Sequence, residues 1–587
     1  MVNEVTCVAI ASRICFALVM SRHVKKSPSL CTDRPLDNAD ICNKLSLLRQ
    51  LLASCFGPTG RLKQVHNSIG GCVVTTSTSS VLLPAISSAQ PFVNLIKSSI
   101  LNHVSRFSDC GLFAATLCLA LVERAKQSGL GGNVAIGLNK HLLGLCVSYL
   151  QREDCGCKVK LDFGSSQHLV TLARSIISSK PACVLTEQET LHISKLASQA
   201  FLLTLPCANP GTVTLGRTVT ASVEGHSVLA SAVFPGLLLD VTGALCPHKA
   251  ESLNSSPMCV VLFSASLAGD LPELGDGIVE VPSGVDTDSQ ILDQLLELGK
   301  QAVKDEVKLF VCQKVIHPVI QQYLRSQGII VIERLGVTLM EPLIQLTGAQ
   351  PVATLHSTLP AKAYGKVRDL SIRQFGSKTM LHLHPPGESA ICTMVLCHRN
   401  ETMLSELKVV CQKTENVLRL TLREPSALLG GGCTETHLAA YVRHKSMNEV
   451  TETAAVLGCS QSEYLLGVEG FCHSLESVAK ALEHNGGNSF IDLTHAHHWT
   501  LRADVMSGCM EDMTGLCGCG LVEGSPSRKW TCLNSKYAEF SPASPSRDSP
   551  VQPRVLDSFT AKLNALQVAV ETANLALDVR YIIQDVN

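Results

Sequence analysis

A glycine-rich turn is the first stretch of this sequence that could do chemistry. Residues 55–63 read CFGPTGRLK, in which Gly57, Pro58 and Gly60 are followed by Lys63. Exposed backbone N–H groups at such a turn can bind phosphate oxygens, and a lysine adds positive charge. The same residues also suit an ordinary turn that ends a helix. Taken alone, the stretch indicates either a phosphate site or a helix C-terminal cap.

Two other stretches carry residues that phosphate chemistry uses. Asp109 lies in FSDCGLFAATL, and three consecutive glycines, Gly430, Gly431 and Gly432, lie in LLGGGCTETHLA. Phosphoryl transfer needs a phosphate-binding backbone, Mg²⁺ bound by carboxylates, and a group that positions the attacking water. These stretches are far apart in the chain, so only the fold could join them into one site.

Cysteines and histidines form a second set of candidates, for metal binding. Two Cys-Gly-Cys pairs occur, Cys155/Cys157 and Cys517/Cys519. Structural zinc sites usually have two to four residues between ligands, so buried or reduced thiols are favoured over a metal here. The HAHHW stretch (His495, His497 and His498) has no evident cysteine or carboxylate partner nearby, so we expect an exposed histidine-rich turn.

Composition limits the kinds of partner. The 587 residues predict about three or four domains, and the net charge of −1 gives no general attraction to nucleic acid or to an anionic membrane. Only 4% of the residues are aromatic, which also disfavours a base-stacking surface. The 26 cysteines have no secretory leader before them, so reduced thiols in the cytosol or nucleus are expected.

The first 19 residues are apolar but do not fit a membrane segment. Glu4 stands where a leader would be basic, and Arg13 interrupts a run that is too short to span a bilayer. We therefore expect no membrane insertion. Residues 1–19 are interpreted as an alternative leader or an upstream start, and a protein that begins at Met20 is expected to behave like the full chain.

The elements that must position these residues can be read from apolar periodicity. The pattern predicts helices over 43–56, 91–107, 111–128 and 133–152. A smaller helical unit follows, where Thr186 and Glu189 have the spacing of a capping box.

The centre of the chain reads differently. VKLFVCQ, HPVIQQYLRSQG and IIVIERLG predict a strand–helix–strand unit of a parallel sheet. Helix returns near 402, and the last long helix is expected to begin with Asp557 as its N-cap. Residues 525–554 contain five prolines and many serines, and predict a solvated loop. Helical ends around a mixed centre suggest one domain interrupted by others.

Together, CFGPTGRLK, FSDCGLFAATL and LLGGGCTETHLA resemble the group II chaperonins, the archaeal thermosome and the eukaryotic cytosolic chaperonin. TGAQPV and ESVAKALEHNGG support the resemblance, which covers roughly 30–524 and 555–587 in the family's order. Within this family, the sequence most resembles the Bardet–Biedl chaperonin-like proteins.

The resemblance implies a multidomain α and α/β subunit. An equatorial, helical domain would be formed by 20–150 and 429–587, with 525–554 as a disordered insertion. An intermediate domain would consist of 151–217 and 373–428, and an apical α/β domain of 218–372 would bind clients.

The resemblance also implies a degenerate nucleotide site. Its residues would be Gly57, Pro58, Gly60, Lys63, Asp109, Lys180, Gly430, Gly431, Gly432 and Asp557. In the family, a lysine at the place of Lys180 senses phosphate and an acid at the place of Asp557 reaches the ribose. Both have alternatives: Lys180 could be a solvated helix-end lysine, and the proline that normally follows the acid is Ser558 here.

Two departures from the family weaken catalysis. The aspartate that binds metal is replaced by Ser77, and the aspartate that activates water is replaced by Lys413, with Glu406 in its family place supporting the register. A hydroxyl is a poor Mg²⁺ ligand, and a cation cannot accept the proton of water. Glu415 cannot replace Lys413, because two positions along a helix is about 200° round. We expect weak ATP binding, poor Mg²⁺ binding and no catalytic residue.

By resemblance, the protein would assist folding or assembly of the BBSome, the coat-like complex that serves cilia. Its partners would be BBSome subunits, other Bardet–Biedl chaperonin-like proteins and the cytosolic chaperonin. It would be found in the cytoplasm, at the centrosome and basal body, and also in the nucleus. The alternative is an active ATP-dependent ring subunit. A small-molecule kinase is a poor third, because the Walker signature is missing.

Overall fold

A computed structural model describes residues 30–66, 73–206, 215–240, 257–269, 287–353, 359–376, 378–387, 391–501, 515–525, 528–535 and 552–584. The predicted leader at 1–19 and most of the predicted insertion at 525–554 lie outside these residues. Across the described segments, no helix is both long and apolar enough to cross a bilayer.

Fifteen helices are found in the described segments. In chain order they are α1 Ala39–Ala53, α2 Ser79–Ala85, α3 Pro91–Phe107, α4 Gly111–Ser128, α5 Gly132–Gln151, α6 Ser166–Ser178, α7 Glu187–Leu203, α8 Thr287–Lys304, α9 Pro318–Ser326, α10 Val337–Thr347, α11 Glu401–Leu420, α12 Cys433–Asn448, α13 Val450–Leu457, α14 Gln461–Lys480 and α15 Phe559–Asp578. The four helices predicted in the first part agree with α1, α3, α4 and α5 to within a few residues. The capping box at Thr186 and Glu189 is present at the start of α7.

The strands form small sheets. They are β1 Leu30–Asp33, β2 Lys63–His66, β3 Val73–Thr76, β4 Lys158–Lys160, β5 Arg217–Glu224, β6 Ala232–Pro235, β7 Leu237–Asp240, β8 Met258–Phe263, β9 Val307–Cys312, β10 Ile330–Ile332, β11 Tyr364–Val367, β12 Leu370–Phe375, β13 Lys378–Leu383, β14 Ile391–His398, β15 Ser426–Leu429, β16 Asn488–Asp492, β17 His498–Leu501, β18 Trp530–Cys532, β19 Leu556–Ser558 and β20 Tyr581–Gln584. The sheet orders are β1-β20, β2-β3, β10-β9-β8-β11, β12-β13-β7, β5-β14-β6, β19-β15-β4 and β17-β16-β18.

The largest core is built from both ends of the chain. Helix α4 is its centre, since every residue from Gly111 to Val122 is buried. Helices α1 and α3 from the first part pack against it together with α14 and α15 from the last part, and α5 and α12 join the same core by packing against α14. Burial of α4 on all sides explains why its sequence is apolar all round instead of striped. Helices from both ends of the chain therefore share one packed core.

The central α/β unit has its own cores on the two faces of the sheet β10-β9-β8-β11. Strands β8, β9 and β10 are parallel, and α9 connects β9 to β10. The predicted strand–helix–strand unit is confirmed. Gly328, which ends this helix, has φ +79°, a conformation that glycine adopts without strain.

Two predicted boundaries cut across paired strands. Strand β5 pairs in parallel with all of β14, and β6 pairs with β14 on its other edge. Strands of the predicted apical segment within 217–235 therefore pair with a strand of the predicted intermediate segment. The predicted boundary at 372/373 falls inside β12, which pairs with β13. Sequence alternation showed the strands but not their partners.

Two local predictions are wrong. The N-cap of α15 is Ser558, the last residue of β19, whose Oγ accepts from the Ala561 N–H, while Asp557 lies one residue earlier in the strand. The segment 525–554 is not free of regular structure either, because β18 within it pairs with β16. The strand has only three residues, too few to show an alternating apolar pattern, and the prolines and serines of the segment predict a loop.

Candidate functional site

A cavity of about 790 Å³ lies between the two ends of the chain. This volume is in the range of nucleotide and cofactor pockets. Its wall joins the glycine turn after α1, the turn before α4, the end of α6, helix α11 and the start of α12. Seven predicted site residues line it: Gly57, Pro58, Asp109, Lys180, Gly431, Gly432 and Asp557.

The other three predicted residues do not reach the wall. Gly60 and Gly430 are buried behind it, and the Gly430 N–H donates to the Val555 carbonyl at 2.9 Å. Lys63 begins strand β2, where its Nζ donates to the Arg61 carbonyl at 3.3 Å. The predicted phosphate lysine is thus held in a hairpin instead of in the cavity.

The glycine turns are required by the protein's own packing. Gly431 has φ +64°, and a Cβ there would come within 2.1 Å of the Gly518 carbonyl oxygen. Gly57 has φ +79°, and a Cβ there would approach the Leu482 side chain at 2.6 Å. Glycine at these positions therefore follows from turn geometry and close packing, and does not by itself establish a ligand.

The turn that carries Asp109 has a backbone conformation that glycine favours, although neither neighbour of Asp109 is a glycine. Ser108 has φ +63° and Cys110 has φ +60°, so the backbone of both residues is in the left-handed region. Such a conformation costs a residue with a Cβ roughly 1–2 kcal/mol. The Asp109 carbonyl accepts from His103 Nε2 at 2.9 Å, which fixes the turn.

Two lysines contribute positive charge to the cavity. Lys413 comes from the middle of α11 and Lys180 follows α6. Burial, and next the like charge of Lys180, lower the pKa of Lys413 to about 8. Lys413 has no hydrogen-bond or ion-pair partner among the described residues, whereas Lys180 Nζ donates to Ser179 Oγ at 2.9 Å. An anion between these ammonium groups would relieve their repulsion.

A buried ion-pair network occupies the opposite side of the cavity. Lys562 donates to Asp557 Oδ2 at 2.8 Å and to Glu435 Oε1. Its ammonium group also lies 4.4 Å from the centre of the Phe113 ring, a cation–π distance. The two nearby carboxylates raise the pKa of Lys562 in spite of its burial. Asp557 therefore already has a cationic partner.

Other acidic residues near the cavity are also committed. Glu406 Oε1 accepts from the hydroxyls of Thr76 and Thr78, at 2.9 and 2.5 Å. Glu415 is paired with Arg419 at 2.7 Å and does not line the cavity, as its helical position predicts. Ser77 is fully buried and outside the wall, and its Oγ has no partner among the described residues.

These donors fit a phosphate group better than a metal ion. Mg²⁺ is usually bound by one or two carboxylates together with substrate phosphates. Asp109 and Glu483 are the carboxylates on the described wall without a cationic partner, and the ammonium groups of Lys180 and Lys413 share the cavity with them. The two ammonium groups favour an anion such as the phosphates of a nucleotide, and their charge opposes a Mg²⁺ ion bound without one.

The sequence interpretation missed several residues here. Glu435 and Lys562 were not identified because their pairing joins α12 to α15, 127 positions apart. The HAHHW stretch was wrongly expected to be an exposed turn, since His497 is fully buried and His498 nearly so. His498 lines the cavity, and its Nδ1 lies 3.0 Å from the Gly431 carbonyl oxygen, to which it donates.

Comparison with known proteins agrees with this fold. The profile of the TCP-1/cpn60 chaperonin family matches residues 48–587. The human protein named Molecular chaperone MKKS is 47% identical over 574 residues, which is 97% of this chain and 100% of that protein. The Mus musculus protein of the same name is 45% identical over 572 residues, with the same coverage.

A more distant relative is the thermosome subunit alpha of Saccharolobus solfataricus. It is 23% identical over 487 residues, which is 79% of this chain and 83% of the thermosome subunit. The chaperonin resemblance drawn from three motifs, and the multidomain α and α/β fold that it implied, are confirmed. This chain belongs to the TCP-1/cpn60 chaperonin family.

Proposed function

We propose that this chain is a chaperonin-like protein that does not hydrolyse ATP and that helps to assemble the BBSome needed for cilia. Its partners would be BBSome subunits, other Bardet–Biedl chaperonin-like proteins and the cytosolic chaperonin. It would act in the cytoplasm, at the centrosome and basal body, with the nucleus as a further location. The similarity to the proteins named Molecular chaperone MKKS supports the chaperone part of this proposal.

Lys413 is the observation that carries the loss of hydrolysis. Its ammonium group lies in the cavity at the position where the family resemblance places a water-activating carboxylate. Even in its neutral form, above pH 8, the amine would have to work without a bound metal. Glu415 and Glu406, the two acids of the same helix that are nearest to Lys413 in the sequence, are engaged by Arg419 and by two threonines, respectively.

Nucleotide binding is a separate matter from turnover. The proposal is that Lys180 and Lys413 bind the phosphates weakly and replace part of the charge that Mg²⁺ would supply. Asp557 has one carboxylate oxygen engaged by Lys562, and the other accepts no hydrogen bond from the described residues, so that it could accept a ribose hydroxyl. Binding that does not need Mg²⁺ is the signature that this proposal predicts.

The client surface is proposed to lie on the central α/β unit. Strands β8–β10 give it a rigid sheet, and three apolar side chains next to α9 and α10 are exposed: Val315, Val319 and Val337. Exposed aliphatic side chains on a rigid element suit the binding of incompletely assembled proteins. No catalytic cycle is needed for such holding.

Hydrolysis is the first test. Purified protein is assayed for phosphate release beside the cytosolic chaperonin, and beside its own Asp109→Ala variant. Loss of a positioned base commonly costs about 10²- to 10⁴-fold in rate, so turnover at the background level, unchanged in the variant, is expected. Turnover comparable to that of the cytosolic chaperonin, and abolished by Asp109→Ala, would instead favour the active ring subunit.

A further inference from the structure

Four metal-binding side chains come together behind the cavity wall. Their ligand atoms all lie within 4.8 Å of one another, and all four residues are buried: Cys433, His497, Cys517 and Cys519. The two sulfurs of Cys517 and Cys519 are 3.3 Å apart, and Cys519 Sγ is 3.7 Å from His497 Nδ1. Neither the Cys-Gly-Cys pair at 517 and 519 nor the HAHHW stretch predicted this cluster by itself, because the cluster combines both stretches with Cys433 from a third segment.

Three rigid segments supply the ligands. Cys433 is the first residue of α12 and follows the turn at Gly432. His497 lies in the turn between β16 and β17, where the Asp492 carboxylate accepts from the His497 N–H at 2.9 Å. The loop of Cys517 and Cys519 is joined to β17, since the Gly518 N–H donates to the His498 carbonyl at 2.7 Å.

The backbone around the sulfurs is arranged for thiolates. The Cys519 N–H donates to Cys433 Sγ at 3.3 Å, and the Val522 N–H donates to Cys517 Sγ at 3.2 Å. Hydrogen bonds of this kind favour the ionised sulfur. Burial opposes it, because an unpaired charge is costly away from water. A buried group of thiolates therefore needs a positive ion within reach.

We propose that Cys433, His497, Cys517 and Cys519 bind one Zn²⁺ ion as a closed, structural site. A tetrahedral zinc with three thiolates and one imidazole places sulfurs about 3.8 Å apart, and sulfur about 3.6 Å from nitrogen. The two separations given above need to change by no more than about half an ångström to reach that geometry, and the widest in the cluster by about 1.2 Å at most. Sulfur and imidazole ligands select zinc over Mg²⁺ or Ca²⁺.

The site would fasten the cavity wall. All four positions are filled by protein atoms, so no place remains for a substrate and the metal would be structural. Zinc would connect the start of α12 to the 515–524 loop, and Gly431, Gly432 and Gly518 of these segments line the cavity. Removing the metal would loosen this wall without removing any residue from it.

The chain contains a matched control. Cys155 and Cys157 form the other Cys-Gly-Cys pair, also buried, with sulfurs 3.5 Å apart. In the part of the chain that the structure describes, they are not members of a cluster of three or more metal-binding groups. Serine substitutions there disturb a similar pair of buried thiols and should leave zinc binding unchanged.

The test measures metal on the full-length protein. After expression with zinc and desalting under reducing conditions, elemental analysis should find about one zinc per chain. Cys519→Ser and His497→Ala should weaken zinc binding by more than about 100-fold, because even outer hydrogen-bond partners of a metal site are worth 10- to 100-fold. Cys157→Ser should retain the metal.

A strong chelator should lower the thermal midpoint of the wild-type protein by several degrees but not that of Cys519→Ser.

A spectroscopic measurement does not depend on the folding of loss-of-ligand variants. Replacing zinc by Co²⁺ in the wild-type protein should give strong visible d–d bands and thiolate charge-transfer absorption, the pattern of a tetrahedral thiolate site. His497→Cys should keep the metal and shift this spectrum. Wild-type protein without zinc or a cobalt spectrum, equal zinc content in Cys519→Ser, or a Cys517–Cys519 disulfide in the fresh protein would each overturn the proposal.

Discussion

Lys413 places a positive charge where burial disfavours one, and this makes the stability of the protein depend on pH. Burial and Lys180 lower its pKa to about 8, from 10.5 in an unfolded chain. Between these values the unfolded chain holds more protons than the folded one, so the free energy of unfolding rises with pH from about 8 to about 10.5. Below pH 8 the full cost of the buried charge is present.

Replacing this lysine should therefore stabilise the protein at neutral pH. Lys413→Met keeps the length of the side chain and removes the charge, and should raise the free energy of unfolding at pH 7 by roughly 1–3 kcal/mol. The rise in stability above pH 8 should become smaller. Urea unfolding of the ligand-free protein at several pH values measures both effects.

Lys408 on the same helix is the control for this prediction, because it is exposed. Lys408→Met should change stability by less than about 0.5 kcal/mol and leave the pH profile unaltered. A destabilising Lys413→Met would show that the lysine has a partner that offsets its burial.

At this scale, motif residues could be found from sequence and their partners could not. Asp109, Lys180 and Asp557 carry a local signature and lie in the cavity. Lys562 carries none, because its role depends on Glu435, which reaches it from another segment of the fold. Lys63 lies outside the site because it begins the hairpin of β2 and β3, and the direction of that hairpin cannot be predicted from residue spacing.

Among the elements, α3 ends in a conformation that its sequence does not favour. Ser108 takes the left-handed position after the helix, which glycine normally fills. Ser108→Gly should therefore stabilise the protein by about 1 kcal/mol, since the Cβ penalty is removed. Ser105→Gly, at an exposed position inside the same helix, should destabilise it by about 1 kcal/mol. Thermal unfolding of both variants tests the prediction, and a destabilising Ser108→Gly would contradict it.

Helices were easier to predict than strands for a physical reason. The period of α3 and α5 is encoded within each helix, whereas β5 acquires its partner from β14, far along the chain. Strand β18 has three residues and is stable only because β16 pairs with it. Asp557 and Ser558 both suit an N-cap and both lie in β19, but the Asp557 carboxylate is engaged by Lys562, while Ser558 Oγ accepts from the Ala561 N–H.

For the whole molecule, the boundaries of the central unit allow a clean excision. Leu237 and Leu383 are paired neighbours in β7 and β13, so residues 236 and 384 are close enough for a short linker. Replacing 237–383 by such a linker keeps β5, β6 and β14 together. If clients bind the central unit, this variant should lose co-precipitation of BBSome subunits, while Lys413→Ala should keep it.

Thermal unfolding and circular dichroism of the excised variant show whether the two-ended core still folds. We expect a cooperative transition, because that core is formed by the chain ends. If client capture survives the excision but is lost in Lys413→Ala, the clients do not bind the central unit and the proposal is contradicted.

The two-ended core also imposes an order on biosynthesis. Asn139 in α5 donates to Asn574 in α15, 435 residues later. At 5–20 residues per second, a ribosome needs about 20–90 s to cover that distance. During this interval α4 has emerged without α14 and α15, which cover it, while the central unit, which has its own cores, is already complete. The nascent chain therefore leaves part of a long apolar helix uncovered until α15 is released, and a protein proposed to hold others would itself benefit from being held during its synthesis.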